Sequence, residues 1–371
     1  MEIFADQPLG AKAHLAIFSS SKVGNFVAIT PLLRGLKQKY PDFTLDFFGS
    51  EITADFEFHC PYIDWRFSLY SDRPDFLETL AAAVRQRQQQ AGAYDLAINC
   101  DEFSEINLVM VTAIRPTYLA GAGLVPNFGR KLLDPQNPVQ AILQDSDWHS
   151  AAFLDRHRHL LKTNYISEIF CRIAYVETDF FKLEVPSRPP DFQVPDVLIH
   201  GTASRRAKQW PLHHWLTVVE WCQDQGLTVG LIGSRPELQR QLYCGEEWEK
   251  ALLAQTTAID LRGQTSLTQL AGALQAAKLC VTIDTGPLHI AAAVGCPTVA
   301  IFGNCATGEG ASPLRLWAPR QPHVKLALSA FSCRLCEEQQ FKNQDCLLSG
   351  HPCLEQVPPQ QVIQTMQALL A

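Results

Sequence analysis

Short apolar runs alternate along the chain with longer stretches whose apolar residues recur at helical spacing. The runs are nearly continuous and rich in β-branched and aromatic residues, which is typical of parallel strands covered on both faces. In the first half they predict strands at residues 14–19, 44–48, 63–69, 94–100 and 117–120. In the second half they predict strands at residues 197–200, 228–232, 259–262, 279–283 and 298–302. This rhythm predicts an α/β fold with two doubly wound parallel sheets.

Helices are predicted between the strands, among them one near residues 75–90, one from Pro236 and one over 267–277. In the helix that follows the first strand, Pro31 is expected to lie in the first turn, where its missing N–H does no harm. The proline-rich stretch "VPSRPPDFQVP" (185–195) is expected to be a linker. The sequence therefore predicts two Rossmann-like domains, 1–185 and 196–371, with the carboxyl ends of their strands facing a cleft.

The stretch "DTGPLHIAAAVGCPTVAIFG" (284–303) ends one predicted strand, forms a short helix and enters the next strand. Thr285 or Gly286 can cap that helix, and Pro287 suits its first turn. The N–H groups and the positive end of the helix dipole then point to one place, which predicts a phosphate site. An ordinary tight crossover with a capped helix is the alternative.

Two side chains of this stretch need their own interpretation. Asp284 would repel a phosphate, so it is expected to cap the helix or to bind sugar hydroxyls. His289 lies one turn into the helix and is equally well explained as a packed core histidine or as a ligand contact.

The loops after two other predicted strands offer further ligand contacts. "HGTASRRAKQWP" (200–211) combines the hydroxyls of Thr202 and Ser204 with Lys208 and two arginines, a set that suits a diphosphate. A solvated basic loop is the alternative. Glu237 in "IGSRPE" could accept hydrogen bonds from ribose hydroxyls or simply open a helix.

The first half carries candidates for proton transfer. "SSSKVGNF" (19–26) turns at Gly24 and presents Asn25, and "NCDEFSE" (99–105) places Asp101 and Glu102 after a strand. The two acids could supply a general base or could simply begin a helix.

Composition excludes some classes of protein. The 371 residues have a net charge of −7, which argues against a nucleic-acid-binding surface. Apolar stretches are too short for a membrane span, and the N-terminal residues lack the pattern of a secretory signal, so a cytosolic protein is expected. Most of the 12 cysteines are expected to be reduced and buried.

The segment "CRLCEEQQFKNQDCLLSGHPC" (333–353), called the cysteine tail below, contains a C-x2-C pair followed by two more cysteines. Four thiolates can hold zinc or iron in a tetrahedral, structural site. The ligands would be Cys333, Cys336, Cys346 and Cys353. Packed thiols, or disulfides in an oxidising environment, are the alternatives.

Three segments occur in an order that resembles glycosyltransferase family 9, the heptosyltransferases of lipopolysaccharide synthesis. They are "SSSKVGNFVAITPLLRGLKQKYPDFTLDFF", "HGTASRRAKQWPLHHW" and "VTIDTGPLHIAAAVGCPTVAIFG", with "YDLAINCDEFSE" as a fourth. The resemblance implies a GT-B fold and inverting transfer, with no catalytic metal or other cofactor, from an ADP-heptose-type donor to a glycan or lipid-linked glycan. It also implies a cytoplasmic protein, with peripheral contact to the inner membrane where the acceptor is lipid-linked.

The same resemblance assigns roles to the donor half. Lys208 would contact the donor diphosphate, and Thr285 and Gly286 would bind it at the helix N-terminus. Asp284 and His289 would line the donor site.

Asn25 departs from the family, which usually has an aspartate in this position as the catalytic base. A neutral amide cannot take the proton of an acceptor hydroxyl. Either Asp101 or Glu102 replaces the base, or the protein binds a nucleotide sugar without efficient transfer. A nucleotide-sugar epimerase is a third hypothesis, since it shares the layout of two domains.

Overall fold

The chain forms two compact units, Met1–Glu184 and Val185–Ala371, in a computed structural model. The structure describes residues 1–70, 75–132, 134, 136–238, 243–244 and 246–371. Each unit is built on one six-stranded sheet in which all neighbouring strands run parallel. The predicted α/β class is therefore confirmed.

The first sheet has the order β1-β6-β5-β2-β3-β4. Its strands are β1 (Glu2–Ile3), β2 (His14–Phe18), β3 (Thr44–Gly49), β4 (Trp65–Ser68), β5 (Leu96–Asn99) and β6 (Tyr118–Gly121). Every strand predicted in this half is confirmed to within a few residues. The edge strand β1 was missed, because a two-residue strand is too short to show a periodic pattern.

Seven helices of the described residues belong to the first unit. They are α1 (Val23–Lys39), α2 (Ala54–His59), α3 (Phe76–Ala91), α4 (Glu105–Ala113), α5 (Pro138–Gln144), α6 (Ala151–His157) and α7 (Ile166–Ile173). The expectation that Pro31 lies in a first turn was wrong, because α1 already begins at Val23. Pro31 has no N–H for the carbonyl of Val27, and the hydroxyl of Thr30 donates to that oxygen instead, at 2.7 Å.

The second sheet has the order β12-β11-β10-β7-β8-β9. Its strands are β7 (Val197–His200), β8 (Val229–Leu231), β9 (Ile259–Asp260), β10 (Leu279–Ile283), β11 (Thr298–Phe302) and β12 (Val324–Leu328). The strands predicted here are confirmed. The edge strand β12 was missed, because the exposed Lys325 interrupts its apolar residues and only Val324 and Ala327 are buried, so it lacks the continuous buried run of its neighbours.

The helices of the second unit begin with α8 after β7. In the described residues they are α8 (Leu212–Asp224), α9 (Glu246–Gln255), α10 (Leu267–Ala276), α11 (Gly286–Val294), α12 (Leu314–Trp317), α13 (Leu335–Glu338), α14 (Pro352–Glu355) and α15 (Pro359–Leu370). The helix predicted from Pro236 is described only at residues 236–238, and its continuation lies outside the described residues.

The proline-rich segment that opens the second unit packs against α10. The N–H of Arg188 donates to the carbonyl of Thr268 at 3.0 Å, and the Arg188 Nε donates to the Thr268 hydroxyl at 2.8 Å. A Cβ placed on Gly272 would lie 2.0 Å from the Arg188 carbonyl oxygen, so this close approach requires glycine.

The central strands of both sheets are inaccessible to solvent. All residues of β2, β7, β10 and β11 are buried, as their continuous apolar sequences predict. Within the described part of the chain, no helix combines the length and the apolar character needed to span a bilayer.

Candidate functional site

An ion pair marks the carboxyl edge of the second sheet. Strands β7 and β10 are neighbours, so the loops that follow them lie side by side at this edge. The first loop carries Lys208 on a short 3-10 turn, Arg206–Lys208, and the second begins with Asp284. The Lys208 Nζ lies 2.8 Å from the Asp284 Oδ2, with side chains 16% and 10% exposed. The structure thus brings together two residues that are far apart in sequence and were predicted for one site.

Burial and charge oppose each other at Asp284. Burial alone would raise the pKa of this carboxyl group, but Lys208, His289 and a hydrogen bond from Ser312 together lower it below its ordinary value. Burial lowers the pKa of His289 to about 4, against the opposite influence of Asp284. At neutral pH Asp284 is therefore a carboxylate, and the imidazole of His289 is neutral.

The helix α11 begins beside this ion pair. Thr285 occupies its N-cap position with extended backbone, but its side chain makes no capping hydrogen bond. The hydroxyl lies instead 3.0 Å from the Nδ1 of His200, the last residue of β7. The expected cap by Thr285 is therefore absent, because His200 engages the hydroxyl. The first turn keeps N–H groups that the Thr285 hydroxyl does not satisfy, which suits an anion.

Other predicted contacts in this unit have different surroundings. The Thr202 hydroxyl is buried and donates to Glu249, which also accepts from the Nη1 of Arg262 at 2.8 Å. Ser204 and Glu237 are exposed to solvent. Thr202 thus stabilises the base of its loop, whereas Ser204 and Glu237 are accessible to a ligand.

Sequence reasoning missed the loop that follows β11. Asn304 is fully buried and donates through Nδ2 to the carbonyls of Gly308 and Ser312, at 2.8 and 2.6 Å. Its Oδ1 accepts from the N–H of Ser312 at 3.1 Å. These bonds hold Ser312 where its hydroxyl reaches Asp284. The sequence offered one clue to this loop, which is that it follows β11, the strand next to β10.

The acids of the first unit lie near Asn25 within that unit. Asn25 is in the first turn of α1, after β2, and Asp101 and Glu102 follow the neighbouring strand β5. Asn107 on α4 joins the two loops by donating to the carbonyl of Ser19 at 3.2 Å. The structure therefore places all three predicted residues at one edge of the first sheet.

Burial dominates the titration of both acids. It raises the pKa of Asp101, with opposition from the Phe103 backbone and from Lys22. It raises the pKa of Glu102 to about 7, with opposition from Lys131 and a further increase due to Asp101. The Oε2 of Glu102 is buried and has no hydrogen-bond partner among the residues that the structure describes. Of the two acids, Glu102 has the pKa that suits a general base at neutral pH.

The cysteine tail gathers its four thiols in one region. All are free, and Cys336 and Cys353 are buried. Burial raises the pKa of Cys353 to about 12, and the proximity of the other three thiols contributes to this increase. Among the described residues, the ligand group whose atoms all lie within 4.8 Å of one another is instead His213, His214 and Glu355. Two of these three side chains are largely exposed, and each imidazole faces the carboxylate as in a surface ion pair.

Sequence comparisons identify relatives for the second unit and for the residues just before it. Residues 174–344 match the sequence model of Glycosyltransferase family 9 (heptosyltransferase). Lipopolysaccharide heptosyltransferase 2 of Escherichia coli (strain K12) is 30% identical over 166 residues, which cover 44% of this chain and 43% of the relative. Lipopolysaccharide heptosyltransferase 1 of the same strain is 24% identical over 204 residues, covering 48% and 60%. The chain spans about half the length of the curated relatives it matches.

Solved structures resemble the chain over nearly its whole length. A glycosyl transferase family 9 from Veillonella parvula DSM 2008 has a TM-score of 0.72 at 16% identity, covering 98% of each chain. The E. coli ADP-heptose lps heptosyltransferase II has a TM-score of 0.62 at 18% identity, covering 96% of this chain and 98% of that one. The fold is thus of the GT-B class, with two parallel-sheet units. Together with the sequence match, this confirms the resemblance to glycosyltransferase family 9.

The ion pair makes a prediction about stability. In Lys208→Met, Asp284 stays buried without its cation, and we expect a loss of about 3 kcal/mol in the free energy of unfolding at pH 7. The loss should shrink as the pH falls, because without Lys208 burial raises the pKa of Asp284 and protonation removes the unpaired charge. Urea unfolding at several pH values measures this.

The matched control is the double variant Lys208→Met/Asp284→Asn, which removes both charges. It should recover most of the lost stability at pH 7. Equal losses in the single and double variants would show that the unpaired charge of Asp284 is not what destabilises the Lys208→Met protein.

Proposed function

We propose that the chain is an inverting glycosyltransferase that moves a heptose-like sugar from a nucleoside-diphosphate donor to a glycan or lipopolysaccharide-type acceptor. The observation that carries the proposal is the Lys208–Asp284 pair beside the uncapped N-terminus of α11. The second unit would bind the donor and the first unit the acceptor. A lipid-linked acceptor would place the enzyme in the cytoplasm, in peripheral contact with the inner membrane.

The donor diphosphate would lie between Lys208 and the first turn of α11, at Thr285 and Gly286. Negative charge builds on this group as the glycosidic bond breaks, and a fixed cation with oriented N–H groups stabilises it most at that moment. Asp284 would keep Lys208 in place and accept from sugar hydroxyls, and neutral His289 would line the same pocket. This chemistry needs no catalytic metal.

Two structures suggest the identity of the nucleotide. E. coli heptosyltransferase WaaC is described with ADP and with ADP-2-deoxy-2-fluoro heptose, at TM-scores of 0.60 and 0.56. We infer an ADP-heptose-type donor for this chain, with Glu237 as the candidate contact of the ribose hydroxyls.

Glu102 would act as the base in place of the missing aspartate. Its carboxyl is partly buried, and one of its oxygens has no hydrogen-bond partner in the described part of the chain, so it can accept a proton from an acceptor hydroxyl. Asp101 is the second candidate. Asn25 also favours the alternative function, a nucleotide-sugar-binding protein without transfer activity.

The donor site is tested by ADP binding in calorimetry. Wild-type protein should bind ADP, and Lys208→Met/Asp284→Asn should bind it more weakly by about 1–3 kcal/mol, the scale of charge-assisted hydrogen bonds. The double variant avoids the instability of an unpaired Asp284. Lys325→Met removes an exposed lysine from β12 and should leave the affinity unchanged. Equal affinity in all three proteins would show that the Lys208–Asp284 pair does not contribute to ADP binding.

The base is tested by turnover with a nucleotide sugar and a suitable acceptor. Glu102→Gln should lower turnover by roughly 10²–10⁴-fold, the usual contribution of a general base. Wild-type turnover should rise with pH through about 7, because the proton leaves Glu102 over that range and only the carboxylate can accept another. Asn25→Asp should raise turnover.

Glu105→Gln is the matched control, since it neutralises an exposed glutamate at the start of α4. If the separate neutralisation of Glu102 and of Asp101 leaves turnover intact, the relocated base is refuted. If wild type and Asn25→Asp are both inert with every nucleotide sugar that they bind, the protein is a binder without transfer activity.

We also propose a structural metal on the cysteine tail. The four thiols lie near one another, and thiolates are the ligands that zinc and iron accept in tetrahedral sites. A neighbour of similar fold, TibC from enterotoxigenic E. coli, is described as an iron-containing dodecameric glycosyltransferase. Cys333, Cys336, Cys346 and Cys353 would hold the ion, which would fix the tail and take no part in transfer.

Metal analysis of freshly reduced protein should find about one zinc or iron per chain. Cys333→Ser/Cys336→Ser should lose the metal, whereas Cys244→Ser, a partly exposed cysteine outside the tail, should retain it. Protein without metal after purification in the absence of chelators would favour packed thiols.

A further inference from the structure

The cysteine tail is hydrogen-bonded to the residue that precedes Lys208. Ala207 is buried, and its N–H donates to the carbonyl of Gln344 at 2.9 Å. Its carbonyl oxygen lies 3.0 Å from the Nε2 of His351, which must carry the hydrogen because a carbonyl can only accept. Both backbone groups of Ala207 are therefore satisfied by the tail.

A second set of contacts joins the same two segments. Arg205 is buried, and its Nη1 donates to the backbone and side-chain oxygens of Asn343 at 3.2 and 3.3 Å. The Nδ2 of Asn343 in turn lies 3.3 Å from the Sγ of Cys336. Arg206 forms an ion pair with Asp345. Each residue from Arg205 to Ala207 thus contacts the tail, and Lys208 comes next.

The position of Lys208 depends on this support. A lysine has a long flexible side chain, and it loses conformational freedom when it is held against Asp284. The 3-10 turn that presents it spans three residues, and both backbone groups of its central residue, Ala207, bond to the tail.

We propose that the cysteine tail positions Lys208 for the donor diphosphate, with His351 and Asn343 as the positioning residues. The proposal rests on the proposed function, because the affinity that the tail would control is that of the same donor site for its nucleotide. Neither residue would touch the nucleotide. His351 would act through the Ala207 carbonyl, and Asn343 through the side chain of Arg205.

The test is a double-mutant cycle on ADP affinity, measured by calorimetry with the full chain. His351→Ala should raise the Kd for ADP roughly threefold to tenfold, which corresponds to the loss of one hydrogen bond. His351→Gln keeps an N–H donor and should recover part of the affinity. Gln361→Ala removes a comparable side-chain bond, from Nε2 to the Leu328 carbonyl, and should leave the Kd unchanged.

The second half of the cycle uses Lys208→Met/Asp284→Asn as the background. There His351→Ala should have almost no further effect on the Kd, because the tail acts through Lys208. Asn343→Ala is a milder variant that removes the side-chain bond and keeps the backbone bond, and it should show the same dependence on Lys208.

The outcomes separate the two proposals. Wild-type affinity in His351→Ala and Asn343→Ala, or equal losses in both backgrounds, would overturn the positioning role while the donor site stands. Failure of wild-type protein to bind ADP would overturn the proposed function, and the positioning role with it.

Discussion

The ion pair between Lys208 and Asp284 is the interaction on which the carboxyl edge of the second sheet depends. Removing two charges from water is costly, and their mutual attraction offsets that cost only when further hydrogen bonds fix the geometry. The neighbouring features of the structure supply this geometry. Ser312 contacts the carboxylate, and Asn304 holds Ser312 in place. The loop after β11 is therefore shaped by a charge at the end of β10.

The start of α11, at the same edge of the sheet, lacks a side-chain hydrogen bond that would stabilise the helix. A capping threonine typically stabilises a helix by about 1 kcal/mol, yet the Thr285 hydroxyl is bonded to His200. Burial lowers the pKa of His200 to about 4, so the ring is neutral and adds no positive charge beside Lys208. Local rules of helix formation tend to be broken at functional sites, and the uncapped turn fits that tendency.

Periodicity predicted the architecture because buried parallel strands leave a strong signal in sequence. It failed where a side-chain hydrogen bond replaces a backbone one. The Thr30 hydroxyl donates to the Val27 carbonyl, which Pro31 leaves without a backbone donor. The helix α1 therefore continues past Pro31, although the sequence predicted this proline in a first turn. At the site, sequence reasoning grouped Lys208 with Asp284 through strand ends and through a family resemblance. It could not predict the contact of Ser312 with Asp284 or the contacts of Ala207 with the tail, because each of them joins segments that are distant in sequence.

Asp284 and Glu102 both carry a carboxyl group, but their surroundings shift its pKa in opposite directions. Both carboxyls are largely buried, and burial raises the pKa of each. Asp284 has Lys208 at 2.8 Å, which reverses the effect and keeps it ionised. At Glu102, Lys131 opposes the effect of burial without reversing it, and Asp101 adds to the effect of burial, so its pKa of about 7 lies where a proton can be both accepted and released. Titratable groups whose environments separate their pKa values have separate tasks. A permanently charged Asp284 can hold a cation in place, and an acid poised like Glu102 can accept the proton that Asn25 cannot.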